Sequence, residues 1–146
     1  MSKKPTLLIL TVWSWLIVAI TNMGVASYVI FDELSRPRSK LSDVTSFGVI
    51  VLVALIIMIL AILVYRQKST ARLLLIGFGI ITLNWHGFVA YFTKAMIKGL
   101  FGTHIPNFWD YTFLIATILL LLMALFGLIG LLTPSVRQYC KSNEIQ

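Results

Sequence analysis

The sequence predicts an all-α, polytopic integral membrane protein built from four transmembrane helices in a single domain, residues 1–146. Hydrophobic residues make up 59% of the chain and charged residues 12%, whereas a soluble domain is about 45–50% apolar and about 25% charged. Four long stretches contain no Asp, Glu, Lys or Arg, and each can supply the roughly 20 apolar residues that a spanning helix needs. These stretches predict helices at 7–31, 44–65, 72–98 and 110–133.

The first helix is expected to stay in the membrane as an anchor. Its apolar stretch is longer than the roughly 7–15 residues found in the hydrophobic region of a cleaved signal peptide. Several polar side chains share one stripe of this helix, which favours contact with another helix. They are Thr11, Ser14, Thr21 and Asn22. Pro37, in the loop that follows, cannot continue a helix.

The second helix has no strongly polar residue at mid-span. It offers only the small residues Ala54 and Ala61 for close packing, so we expect it to be more peripheral and more exposed to lipid than the others. The segment that follows, "RQKSTAR", predicts a tight basic turn. Ser69 or Thr70 can cap the third helix, because a side-chain oxygen there can accept from the first free backbone N–H groups.

The third helix carries polar residues on two nearly opposite stripes, when its residues are placed about 100° apart. The first stripe is Gly79, Thr82, His86, Ala90 and Thr93. The second stripe is Gly77, Asn84, Phe88 and Tyr91. We therefore expect this helix at the centre, in contact with the first and fourth. Polar contacts between helices are predicted at Asn22, Thr82, Asn84 and His86.

The fourth helix has clear signals at both ends. Asn107 or Asp110 can cap its beginning, and Pro134 is expected to end it. Small residues lie on one of its faces, at Ala116, Thr117, Ala124 and Gly127. Aromatic residues near the helix ends fit an interfacial belt. They are Trp13, Trp15, Tyr65, Trp109, Tyr111 and Tyr139.

The distribution of basic residues predicts that both termini are cytoplasmic. Four spans place the termini on one side, and the cytoplasmic side is the one with more Lys and Arg near helix ends. The terminal side has seven such residues: Lys3, Lys4, Arg66, Lys68, Arg72, Arg137 and Lys141. The other side has five: Arg36, Arg38, Lys40, Lys94 and Lys98. The net charge of +7 is therefore interpreted as topology and lipid headgroup contact, and no nucleic-acid partner is expected.

His86 admits three interpretations. It can join helices as a neutral hydrogen-bonding group, serve with other residues as a metal or haem ligand, or relay protons. A relay needs a nearby acid, and the apolar stretches contain none. His104 follows 18 residues later, which is about 27 Å along a continuous helix, so a haem held by both histidines is not expected. Common motifs of hydrolases, metalloproteases and phosphate-binding loops are missing.

Some segments resemble the C subunit of copper membrane monooxygenases, which oxidise ammonia or methane. The resemblance rests on "WLIVAITNMGVASYVIFDEL", "YRQK", "NWHGF" and "PNFW". It implies copper ligands at Asp32, Asn84 and His86. The sequence departs from the family pattern in three ways: the first loop has no histidine, Asn84 and His86 are two residues apart instead of four, and Phe108 stands where a histidine is expected. His104 would have to replace that histidine.

The sequence thus favours a small accessory or structural subunit within a larger membrane protein complex, without catalytic activity or a cofactor of its own. Its expected partners are the lipid bilayer and other transmembrane subunits. The alternative is a metal- or redox-assisted enzyme subunit that uses copper or haem. Under that alternative the ligands are His86, Asn84, His104 and Asp32. A channel or transporter is a weaker third hypothesis, since no charged residue lies within the apolar stretches.

Overall fold

The fold is known from a computed structural model that describes residues 5–35, 41–98 and 107–141, with the side chains of 41–44 left out. The described residues form five helices and no strand. The helices are α1 (Thr6–Leu34), α2 (Leu41–Tyr65), α3 (Ser69–Ile97), α4 (Phe108–Leu132) and α5 (Pro134–Lys141). The all-α prediction is confirmed. The first four helices are long and apolar enough to cross a membrane, which confirms the prediction of four candidate spans.

Sequence signals at the helix ends explain several of these boundaries. Asn107 caps α4: its Oδ1 accepts from the backbone N–H groups of Trp109 and Asp110 at 2.9 and 3.1 Å. Asp110 Oδ2 accepts in return from the Asn107 N–H at 2.9 Å, which completes a capping box. The predicted cap is therefore confirmed. Pro134 follows the end of α4 and begins α5, a position where its missing N–H is not needed. The short helix α5 was not predicted.

The turn between α2 and α3 differs from the prediction. Lys68 is the N-cap residue of α3 and makes no side-chain capping bond, so the prediction of a Ser69 or Thr70 cap was wrong. Instead, Gln67 adopts a left-handed conformation with φ of 67°. Lys68 N–H donates to the Leu63 carbonyl at 3.0 Å, and Gln67 N–H donates to Val64 at 2.9 Å. These two bonds form a Schellman motif that ends α2.

The four long helices form a ring in which each packs against its two neighbours. α1 packs against α2 and α4, and α3 also packs against α2 and α4, so α1 and α3 lie diagonally across the bundle. The prediction of a central third helix and a peripheral second helix was wrong. Helix packing in membranes depends on close van der Waals contact, which α2 provides through small and aliphatic side chains. Its buried residues include Ala54, Ile57, Leu60, Ala61 and Val64.

Trp15 fills the centre of this ring. Its side chain is fully buried and lies against two glycines, Gly79 on α3 and Gly127 on α4. A Cβ atom at Gly79 would lie 2.8 Å from Trp15 Cη2, and one at Gly127 would lie 2.7 Å from Trp15 Nε1. The belt prediction for Trp15 was therefore wrong. It was also wrong for Tyr139, which is buried on α5.

Candidate functional site

Asn22 on α1 and His86 on α3 meet across the diagonal of the bundle. Asn22 Nδ2 lies 3.3 Å from His86 Nε2. This contact has the same register as the contact of Trp15 on α1 with Gly79 on α3. Asn22 is seven residues after Trp15, and His86 is seven residues after Gly79. Seven residues make two helical turns, about 10.5 Å. The two contacts between α1 and α3 are therefore separated by the same distance on both helices. His86 is buried, and Asn22 is half-buried.

The hydrogen bonds of Asn22 define the roles of both side chains. Asn22 Nδ2 also lies 2.8 Å from the carbonyl of Val18, to which it donates. A carbonyl only accepts hydrogen bonds, so the atom of Asn22 that faces it must be the amide nitrogen. The second amide hydrogen then points to His86 Nε2, which must accept it. His86 Nε2 is therefore unprotonated, and the proton of the neutral ring is on Nδ1.

Thr82 and Asn84 make their hydrogen bonds within α3. Thr82 is buried, and its Oγ1 donates to the Phe78 carbonyl at 2.8 Å. Asn84 is exposed, and its Nδ2 donates to the Ile80 carbonyl at 2.8 Å. Within this chain, the ring arrangement leaves this side of α3 on the outside of the bundle. The helix–helix contact predicted at Asn84 stays a prediction.

The four residues of the alternative metal site are not brought together where the structure describes them. Asn84 lies on the outer face of α3, and His86 lies on the inner face. Asp32 is ten residues beyond Asn22 on α1, about 15 Å along the helix. His104 lies outside the described residues. Within the described ranges, no group of three or more His, Cys, Asp or Glu residues is positioned to hold a metal ion.

Two cavities adjoin the Asn22–His86 pair. The larger, about 590 Å³, lies between α1, α2 and α3, and the smaller, about 180 Å³, extends towards Phe113 and Thr117 on α4. Exposed residues such as Ile81 line the larger cavity, and buried residues such as His86 line it too. The larger cavity therefore runs from the outer surface of the bundle to the polar pair. We call it the lateral cavity.

Arg72 is a buried charged residue, although its place beside a basic turn predicts that it lies at the membrane surface. It is 8% exposed, and its Nη1 donates to the Leu131 carbonyl at 2.9 Å. That carbonyl belongs to the last turn of α4, where carbonyls lack partners within the helix and attract a positive charge. This hydrogen bond links the beginning of α3 to the end of α4. One feature of the sequence agrees with this role. Arg72 follows the Ser69–Thr70 pair and lies within the predicted third helix, not in the loop before it.

Four apolar spans around the Asn22–His86 pair define a multi-pass integral membrane protein. No family model matches this chain, and neither the search of curated proteins nor the search of solved structures finds a match. The likeness to the C subunit of copper membrane monooxygenases therefore stays a prediction.

Proposed function

We propose that this chain is a small accessory or structural subunit that packs against transmembrane helices of a larger membrane protein complex. The observation that supports it is Asn84, which is exposed on the outer face of α3. Asn84 lies 15 residues from Ser69 and 13 from Ile97, about 20 Å from either end. In a hydrocarbon core about 30 Å thick, this position is near the middle.

The amide of Asn84 has unused hydrogen-bonding capacity. One N–H donates to Ile80, while Oδ1 and the second N–H have no partner among the described residues. Lipid tails offer no hydrogen bonds, so polar side chains at this depth usually face another helix or a cavity. A helix from a partner subunit can satisfy this amide and exclude lipid from it.

The surface around Asn84 suits a second helix. Gly77, Asn84 and Tyr91 follow one another at seven-residue steps and are all exposed, which is the spacing of a helix-packing seam. A Cβ atom added at Gly77 would meet no described atom within 4 Å. This glycine therefore leaves space for the close approach of another backbone.

The test is purification of the complex from native membranes in mild detergent, with quantitative mass spectrometry of the co-eluting chains. Asn84→Leu should weaken the association about three- to thirtyfold, because a hydrogen bond between membrane helices contributes about 0.6–2 kcal/mol. The matched control is Thr112→Val. It removes an exposed hydroxyl that, like the Asn84 amide, bonds a carbonyl of its own helix, and partner recovery should not change.

Two outcomes would contradict the proposal. A chain that elutes alone, with the same mass in wild type and Asn84→Leu, would show that Asn84 faces lipid. A homo-oligomer without other chains would show that a second copy of this protein covers the surface formed by Gly77, Asn84 and Tyr91.

We propose further that both termini are cytoplasmic. The end of the bundle that holds the α2–α3 turn and α5 carries Arg66, Lys68, Arg72, Arg137 and Lys141. Basic residues next to helix ends favour the cytoplasmic side, which supports this orientation.

A further inference from the structure

An exposed stripe runs along the whole length of α3. Its residues follow one another at seven-residue steps, and each of them is exposed. They are Thr70, Gly77, Asn84, Tyr91 and Lys98. Seven residues make almost two whole turns, so these side chains stay on one side of the helix. We call this surface the α3 stripe. A helix that packs along it through Asn84 therefore passes Lys98 as well.

The α3 stripe has a positively charged end. Lys94 precedes Lys98 by about one turn, and both side chains are exposed. Neither side chain forms a hydrogen bond or an ion pair with the described residues. The described acids at this end of the bundle are Asp32, Glu33 and Asp110. They therefore leave both ammonium groups without a counter-charge.

Charge disfavours a second copy of this chain on the α3 stripe. In a two-fold symmetric pair, the same surface of both copies forms the interface. Two copies with the same orientation in the membrane, packed through this stripe, would place Lys98 of one copy opposite Lys98 of the other. Like charges placed opposite each other repel and suppress such a pair. A partner that carries the opposite charge at this end fits better.

We infer that the α3 stripe binds a transmembrane helix of another subunit that carries an amide or hydroxyl side chain at mid-span and an Asp or Glu about two heptads away, at the end facing Lys98. This inference rests on the proposed function, since it describes the helix that would satisfy Asn84. Asn84 and Lys98 are 14 residues apart, about 21 Å along α3. A partner helix that lies nearly parallel or antiparallel to α3 needs the same separation.

The free atoms of Asn84 determine the polar residue of the partner. Its Oδ1 needs a donor, and its second N–H needs an acceptor. Amide and hydroxyl side chains supply both, whereas a carboxylate cannot donate to Oδ1. A carboxylate is also costly at mid-span. The acid therefore belongs at the end of the partner helix, where the exposed lysines lie.

The two ends of this contact contribute differently. An exposed ion pair adds little affinity, but charges across an interface reject wrong partners and fix the register of the right one. Lys94 and Lys98 thus select the partner and its alignment. Close packing at Gly77 and the hydrogen bonds of Asn84 supply most of the affinity.

The test is crosslinking of native membranes with a water-soluble carbodiimide, which joins a lysine amine to a carboxylate in contact with it. Mass spectrometry should identify a link from Lys94 or Lys98 to an Asp or Glu at the end of a span of another subunit. Lys94→Gln combined with Lys98→Gln should weaken the association about two- to thirtyfold at low salt, the effect of losing two exposed ion pairs. The double variant should also lose most of the salt dependence of the association.

Arg137→Gln combined with Lys141→Gln is the matched control. These two residues are also basic, exposed and four apart, but they lie on α5, at the opposite end of the bundle. Partner recovery and its salt dependence should not change in this control.

Equal recovery of the partner with the Lys94→Gln and Lys98→Gln double variant, without a crosslink to either lysine, would overturn the inference and show that the ammonium groups face lipid headgroups. The proposed function would still stand if Asn84→Leu lowered partner recovery. If no chain co-purifies, or if neither the lysine variant nor Asn84→Leu changes recovery, both proposals fail. A crosslink from Lys98 to a carboxylate of a second copy of this chain would also overturn the inference.

Discussion

At the scale of single residues, Gly127 makes room for the indole of Trp15. We expect Gly127→Ala to lower the free energy of unfolding by about 1–3 kcal/mol, the usual effect of overpacking a core. Its new Cβ would lie 2.7 Å from Trp15 Nε1. Thermal or SDS-induced unfolding of the purified protein in detergent measures this effect.

Gly24→Ala is the matched control for this substitution. Gly24 also lies within a helix, but a Cβ there meets no described atom within 4 Å. Alanine should therefore stabilise the helix by up to about 1 kcal/mol. Equal effects of the two substitutions would show that Trp15 does not press against Gly127.

The contact between Asn22 and His86 could not be predicted from the sequence alone. Both residues are recognisable in the sequence, because polar side chains within apolar stretches are rare. Whether they contact each other depends on how α1 and α3 are aligned. The shared seven-residue steps, Trp15 to Asn22 and Gly79 to His86, were present in the sequence. They become meaningful only once the two helices are known to face each other.

At the scale of the helices, the left-handed Gln67 at the end of α2 leads to a prediction. A residue with a Cβ in this conformation is destabilised by about 1–2 kcal/mol, a cost that glycine avoids. Glycine loses more backbone entropy on folding, about 0.5–1 kcal/mol. We therefore expect Gln67→Gly to raise the free energy of unfolding by up to about 1 kcal/mol, measured by circular dichroism in detergent.

Lys98→Gly serves as the control at the end of α3. Lys98 has φ of −77°, so glycine relieves no strain there and only its entropy cost remains. Stability should fall slightly. A loss of stability in both variants would contradict the strain at Gln67.

Helix ends were predictable where the signal is local. The Asn107–Asp110 cap uses residues three apart, and Pro134 stops α4 by its own geometry. The arrangement of the four helices around the ring was not predictable, because α2 packs through aliphatic side chains that resemble those facing lipid. Composition alone does not distinguish Ile57, which is buried, from Ile59, which is exposed.

At the scale of the whole molecule, the orientation in the membrane can be tested with two single-cysteine proteins. In a Cys140→Ala background, Ser35→Cys and Lys68→Cys place exposed thiols at opposite ends of the bundle. A membrane-impermeant maleimide should label Ser35→Cys in intact cells, because cytoplasmic termini place this end outside. Lys68→Cys should react only after permeabilisation. The reverse pattern would place the termini outside.

The position of Trp15 also bears on how the protein is made. This side chain comes from the first span, but Gly127, on which it packs, comes from the last. Spans enter the membrane in the order of synthesis, so the ring cannot close until α4 has been inserted. Until then, the indole and the face of α1 that packs against α4 remain open to lipid or to insertion factors. The first helix to be made is thus among the last to reach its final environment.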